Sequence, residues 1–338
     1  MKNVFIKKFN DSDNWHQLFD EAAGWIGLKE KLNSNSKIII KPNFTWKEHI
    51  PGITVTPLFI ENLVKYLLNF SNNIIIVEAE GGKGCFKAED AFKNHGIYDL
   101  VKRHNIKAIN LTKVEKQKII IKTRKRLFSI ELPTILLNEN DILITVPIPK
   151  VHAMTQVSMG FKNQWGCIPE ITRFRYHPYF SEIIIQIAKL INIKWIIFDG
   201  TYFLNRQGPM AGESLRKDLI IASNNLGAGS ISCCKIMGID PKKIKHFHEA
   251  YFHNLLDFDD SQIKYNIDPL NFKTINFQLK PTIINKVECL GFSNQLIMHW
   301  MHDSFLSNPM RSILRYIRQN KIIKYLLYGK HKPLKYEN

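Results

Sequence analysis

Short apolar blocks recur along the chain, and each closes on polar residues. Residues 38–40 run into Lys41-Pro42-Asn43, and 74–77 into Glu78-Ala79-Glu80-Gly81-Gly82. Residues 141–146 run into Pro147-Ile148-Pro149-Lys150, and 195–198 into Asp199-Gly200. A block that stays largely apolar through successive positions predicts a strand covered on both faces. Between these blocks lie helical patterns. Thr56-Pro57 reads as an N-cap followed by proline at the first helical position, opening a helix that reaches about Asn69. Residues 88–94, 180–190 and 230–237 are further helix candidates. The alternation predicts an α/β fold with a mostly parallel or mixed sheet and flanking helices. Open sheets of this kind bind ligands at the carboxyl ends of their strands. This chain puts Lys41, Asn43, Glu78, Glu80, Lys150, His152 and Asp199 there.

Two segments stand apart from that rhythm. Residues 113–126 hold seven basic side chains and one acid, Glu115, around Ile119-Ile120-Ile121, and read as a basic β-hairpin on the surface. Residues 308–338 hold eight Lys/Arg against the single acid Glu337. Ile313, Leu314, Ile317, Leu326 and Leu327 are interleaved with those charges, the pattern of a basic amphipathic helix. The expected organisation is an α/β domain over residues 1–290 and a basic helical tail over 291–338.

Composition narrows the class of protein. With 338 residues, 45% hydrophobic and 23% charged, the chain is not disordered throughout. It has 47 Lys+Arg against 30 Asp+Glu, a net charge of +17. That excess points to an anionic partner: a small anionic metabolite, an anionic membrane surface or, less favoured, nucleic acid. The five cysteines form no CxxC, which argues against a disulfide scaffold, a zinc ribbon and a Cys-run iron–sulfur cluster. The N-terminus shows no secretory h-region. The longest apolar stretch, 183–198, is too short to span a bilayer and contains Lys189 and Lys194. The expectation is a cytoplasmic protein with reduced thiols, with peripheral attachment to a membrane open through the basic segments.

Candidate chemistry is densest over residues 150–166, which follow a buried strand. A partly buried lysine has a lowered pKa and serves as a nucleophile or an anion ligand. A histidine moves protons near neutrality or ligates a metal. His152, Lys162 and His177 are the catalytic candidates, and Lys41, Asn43, Lys150, Asn163 and Asp199 the substrate-binding ones. The blander reading of both histidines is that of ordinary loop residues. Gly82, Lys83 and Gly84, between a strand and a helix, suit an anion through their backbone amides, although neither the P-loop nor the GxGxxG spacing is present. Glu78 and Glu80 share a strand face as acid, base or ligands, or as neutralisers of nearby lysines. His246, Glu249 and His253 read as a solvated helix face. Cys233 and Cys234 read as packing residues.

Lys41-Pro42-Asn43, residues 54–57, Lys150-Val151-His152, residues 161–166, Asp199-Gly200, Gly208-Pro209 and residues 237–241 occur in an order that resembles the family called domain of unknown function 362. The resemblance covers about residues 35–250. Members of that family often carry a ferredoxin-like domain, but the cysteine run it requires is absent here, so no iron–sulfur cluster is implied. The resemblance also implies acids in the segment 223–238, where this chain has Asn225 and Ser230. That departure weakens any metal or substrate role there and leaves open a catalytically inactive member. The spacing of His152, Lys162 and His177 is similar to that of the nickel-pincer lactate racemases. This second resemblance implies His152 as acid/base, Lys162 as the tether of a hydride-accepting cofactor and His177 as a transition-metal ligand. The reading that results is an enzyme acting on a small carboxylate or phosphate metabolite by proton or hydride movement. Its rival is a non-enzymatic module docking on anionic membrane or nucleic acid through residues 113–126 and the tail.

Overall fold

Isoleucines that follow one another in sequence point to opposite helical layers. In the computed structural model the first elements are β1 (Lys2–Lys8), α1 (Trp15–Trp25), β2 (Ile38–Pro42), α2 (Pro57–Leu67), β3 (Ile74–Glu78), α3 (Ala88–Asn94), α4 (Ile97–His104) and β4 (Lys107–Asn110). A hairpin of β5 (Lys116–Lys122) and β6 (Leu127–Pro133) precedes β7 (Ile142–Val146). Then come β8 (Lys150–His152), β9 (Gln156–Ser158), α5 (Gly160–Asn163), α6 (Phe180–Leu190), β10 (Trp195–Asn205), β11 (Glu213–Ser223), α7 (Leu226–Met237), α8 (Lys245–Phe252) and β12 (Ile263–Tyr265). The structure describes residues 1–281 except Asp11, together with positions 286, 289–292, 294, 296 and 297; the side chain of Lys83 is not described. The amphipathic segment expected over 308–338 lies outside the described residues.

The main path of the sheet runs β12-β1-β11-β10-β7-β2-β3-β4. From β4 to β10 the strands are parallel. Beyond β10, β11 turns antiparallel, β1 pairs antiparallel to it, and β12 closes the edge parallel to β1. Ile38, Ile40, Ile74, Ile76, Ile144 and Val146 pack with α1–α4. Ile39, Ile75, Val77, Leu143, Ile196 and Phe198 pack with α5–α8. Two covered faces explain why these strands read as unbroken apolar runs. The chain goes from β2 outward to β3 and β4, then returns to β7 on the other side of β2. That reversal makes the carboxyl ends of β2 and β7 the switch point of the sheet, the place where open α/β sheets form the crevice that takes ligands.

Three expectations are corrected. The basic hairpin extends to Pro133, and one of its faces is core: Ile121, Phe128, Ile130 and Leu132 are buried, while the lysines point outward. The strand expected to stop at Phe198 continues through Asp199-Gly200 to Asn205, because β11 pairs with it past the end of β7. Gly200 permits this close pairing, since a Cβ there would lie 2.4 Å from the carbonyl oxygen of Leu219. The last helix of the family-like region starts at Leu226, four residues before the expected Ser230, with the Asn225 side chain accepting the Ala228 amide at 2.8 Å. Ser230 bonds back to the Leu226 carbonyl at 2.8 Å, so both departures from the family pattern have local structural roles. All five cysteines are free thiols, and Cys233 and Cys234 are buried as expected. Among the described residues no helix is long and apolar enough to cross a membrane.

Candidate functional site

The crevice has a rigid frame. The Lys41 ammonium, at the end of β2, donates to Glu78 at 2.9 Å and to the Pro42 carbonyl at 2.8 Å. Glu78 also accepts the amides of Phe44 at 3.2 Å and Ala79 at 2.9 Å. The Asn163 side-chain amide donates to the Lys41 carbonyl at 3.2 Å and to Thr145 Oγ1 at 2.8 Å, tying α5 to β2 and β7. Lys150 is buried, and its three hydrogens find Ile53 O at 2.7 Å, Thr45 Oγ1 at 3.1 Å and Asn43 Oδ1 at 3.3 Å. Asp199 accepts the amides of Thr56 at 2.6 Å and Thr201 at 3.0 Å, as well as the Thr201 hydroxyl at 2.5 Å. Burial pushes its carboxyl above the usual range. The five substrate-binding candidates Lys41, Asn43, Lys150, Asn163 and Asp199 therefore all lie at the carboxyl end of the sheet. Their polar atoms bond to one another and to backbone, so they shape the crevice from within.

The reactive groups form a second set, gathered around one aromatic ring. Phe180, at the start of α6, lies 5.4 Å under the Lys162 ammonium, 6.3 Å from the His177 ring and 6.0 Å from the His246 ring. Trp165 stacks on His177 at 5.1 Å and meets Phe180 at 4.8 Å. Lys162 is half-buried and makes no hydrogen bond or ion pair with the described residues. Burial, reinforced by the Arg173 charge, lowers its pKa to about 8. His152 is buried with Nδ1 accepting the Met154 amide at 3.1 Å. Burial holds it well below the usual histidine range, and the charges of Lys162 and Lys150, with His177 and His246 nearby, push the same way. Burial and Lys162 lower His246 to about 3. Arg173 is buried as well, with its guanidinium on the carbonyls of Glu80, Glu170 and Ile168 at 2.8–3.3 Å.

The structure thus brings together His152, Lys162 and His177, and adds His246 and Arg173, which the sequence reading left out of the site. The solvated face expected for α8 is corrected: His246 and Glu249 are buried, and Glu249 pairs with Arg124 at 2.5 Å and His253 at 3.3 Å. A signal for this was present, since Ile244, Phe247 and Ala250 mark an apolar stripe that His246 and Glu249 flank. In the turn of Gly82, Lys83 and Gly84, the Gly84 amide donates to the Gly81 carbonyl at 2.9 Å, which leaves the Gly82 and Lys83 amides as the donors an anion would use. The helix that follows begins only at Ala88. Glu80 lies beyond the end of β3 and accepts a hydrogen bond from the Asn110 side chain at 3.5 Å. Among the described residues no three His, Cys, Asp or Glu side chains are placed to share an ion, so those residues alone do not complete a metal site around His177.

Fold and crevice together define a layered α/β protein with a cationic, histidine-rich site at the switch point of its sheet. The chain belongs to the family described as Domain of unknown function (DUF362), whose model matches residues 38–235, more than half of the chain. That span holds every site residue named above except His246. A curated relative, a thylakoid-associated protein of Synechocystis sp. (strain PCC 6803), is 31% identical over 111 residues, which are 31% of this chain and 35% of the relative. The chain therefore spans about a third of that relative's length. Among solved structures, the lactate racemase apoprotein of Thermoanaerobacterium thermosaccharolyticum matches 70% of this chain and 57% of its own, at 14% identity and a TM-score of 0.45. A Thermotoga maritima protein matches 67% of this chain and 59% of its own, at 15% identity and a TM-score of 0.43.

Proposed function

We propose that the crevice binds a small carboxylate- or phosphate-bearing metabolite and moves a proton on it. The observation that carries this reading is the Lys162 ammonium, which sits beside His152 with no carboxylate to balance it among the described residues. Arg173 adds positive charge nearby, and Glu78, which bears on Arg173, is already paired with Lys41. A fixed cationic excess in a poorly solvated crevice attracts an anion. An amine with a pKa of about 8 also exchanges protons near physiological pH. Calorimetric titration of the full chain with oxalate and with inorganic phosphate tests this. Binding is expected for at least one of them, weakened about tenfold or more by Lys162→Met, the loss of one charge-assisted contact. Affinity should also fall as pH rises through about 8 and Lys162 loses its charge. No binding of either anion, or full binding by the variant, overturns the reading.

A second reading rests on a different observation. Ile120 and Leu127 are 63% and 62% exposed on the outward face of the β5–β6 hairpin. They are diagonal neighbours, since Ile120 pairs with Ser129 and Leu127 with Lys122, and exposed Lys118, Lys122 and Lys125 flank them. Aliphatic side chains ringed by lysines suit an anionic membrane surface, and the Synechocystis relative is named as thylakoid-associated. Co-sedimentation with phosphatidylserine vesicles should be lost in Ile120→Ser/Leu127→Ser. Binding to RNA in place of vesicles, or vesicle binding unchanged by the double substitution, overturns this reading.

A further inference from the structure

The Met154 amide donates to Nδ1 of His152 at 3.1 Å. A backbone N–H never gives up its hydrogen, so Nδ1 must present its lone pair. The single proton of the neutral ring then sits on Nε2. Lys162 and Lys150 stand close enough for their charge to oppose a second proton on this buried ring. In that state His152 has nowhere to take a proton: Nδ1 is occupied and Nε2 is already protonated. Lys162 is the opposite case. Its amine has no hydrogen bond or ion pair among the described residues and rests only on the Phe180 face, so its lone pair, once deprotonated, is uncommitted.

We infer that His152 serves the site as a fixed neutral hydrogen-bond donor through Nε2, that Lys162 is the base, and that the substrate is a 2-oxo acid with a hydrogen on the carbon next to its carbonyl. This rests on the anion reading of the crevice given above. In the step, the C3–H bond breaks and its proton goes to Lys162 Nζ, which becomes an ammonium. The electron pair forms the C2–C3 double bond, and the carbonyl electrons move onto oxygen. That oxygen, now an enolate, accepts the Nε2–H of His152, while the positive charge of Arg173 bears on the same crevice. Return of the proton regenerates the amine. The balance needs no co-reactant. A neutral imidazole donating to a developing enolate, with a separate base, is an established division of labour among isomerases.

Nitrogen-15 NMR of the full chain, with the His152 signals assigned by their loss in His152→Gln, tests the assignment without any turnover. A pyridine-type Nδ1 and a pyrrole-type Nε2 are expected across neutral pH. Oxalate, a stable mimic of the enolate of pyruvate, should bind and shift the Nε2 proton. His152→Phe should weaken oxalate binding about tenfold, the worth of one hydrogen bond to a charged group. His152→Gln, which keeps an N–H, should recover most of that loss. At saturating pyruvate, exchange of its C3 hydrogens with D2O, followed by proton NMR, should be catalysed by the wild type, rise in rate through pH about 8 as Lys162 gives up its proton, and be lost in Lys162→Met. A protonated ring or a pyrrole-type Nδ1, with oxalate still bound, overturns the inference alone. A correct tautomer with neither oxalate nor phosphate bound overturns the anion reading, and the 2-oxo acid with it. An absence of pyruvate exchange in a protein that binds oxalate, or an added mass mapping to Lys162 in protein from its native host, overturns the role of Lys162 as base.

Discussion

Lys41 and Glu78 close a 2.9 Å ion pair between neighbouring parallel strands, with both side chains buried. Removing one partner from such a pair strands the other's charge in a poorly solvated place, at a cost of about 3–5 kcal/mol. Lys41→Met is therefore expected to destabilise the protein by about that amount in chemical denaturation. Lys41→Met/Glu78→Gln should recover part of it, because no charge is left behind, and only part, because Phe44 and Ala79 donate to different oxygens of Glu78 and a carboxamide keeps one of them. If Lys41→Met is as stable as the parent, the pair is not part of the frame and Lys41 is free to meet a ligand.

Gly166 lies against that same pair. A Cβ there would sit 3.0 Å from Glu78 Oε1, 3.0 Å from Lys41 Nζ and 3.2 Å from Lys41 Cε. Those atoms are held by their own hydrogen bonds and cannot retreat cheaply. Gly166→Ala should cost about 1–3 kcal/mol, the usual range for overpacking. Gly24, with nothing within 4 Å of a Cβ, is the control: Gly24→Ala lies within α1 and should stabilise slightly.

Lys150 and Lys162 are both lysines in the crevice, and they should respond in opposite ways. Lys150 serves three acceptors, so Lys150→Met leaves the Ile53 carbonyl and its companions short of a donor. A loss of about 2 kcal/mol or more is expected. Lys162 serves none of them, and its pKa is depressed from 10.5 to about 8. Between those values the unfolded chain binds a proton that the folded chain has released, so this group makes wild-type stability rise with pH through that window. Below pH 8 its unfavourable contribution is fully present. Lys162→Met should therefore be at least as stable as wild type at pH 7, with its advantage shrinking as pH rises from about 8 toward 10.5. Urea denaturation at pH 7 and pH 10 reads the difference directly, and equal stability gaps at both would show that Lys162 carries an ordinary pKa.

The contrast between these two lysines shows where sequence reading stops. Both were legible as unusual, because each follows an apolar strand among glycines and histidines. What each one bonds to was not legible: the acceptors of Lys150 are 97–107 residues away, and the Thr56 amide on Asp199 is 143 away. The central strands were legible because they are covered on both faces and so stay apolar throughout. β11 was not, because its first half, Glu213–Asp218, is polar and only Leu219–Ser223 is buried. His246 was assigned to water because a single helix of eight residues has too short a pattern to outweigh its charged neighbours, although α6 packs over it.

Burial of neutral histidines gives the protein a defined acid weakness. His246 is lowered to about 3 and His95 to about 4, both chiefly by burial, from an ordinary value of 6.5. Below 6.5 the unfolded chain takes up protons that the folded chain refuses, so stability falls as pH falls and keeps falling until the folded values are reached. The upper part of that window lies above the range where carboxylates with an ordinary value near 4 begin to titrate, so a slope between pH 6.5 and 5 belongs largely to histidines. His246→Phe keeps an aromatic ring against Phe180 and Phe247 and cannot take the proton. Its denaturation midpoint should fall less than that of wild type between pH 6.5 and 5. Parallel falls would mean that His246 is charged in the folded protein, and that the positive field of Lys162 on this ring is weaker than its burial beside the crevice requires.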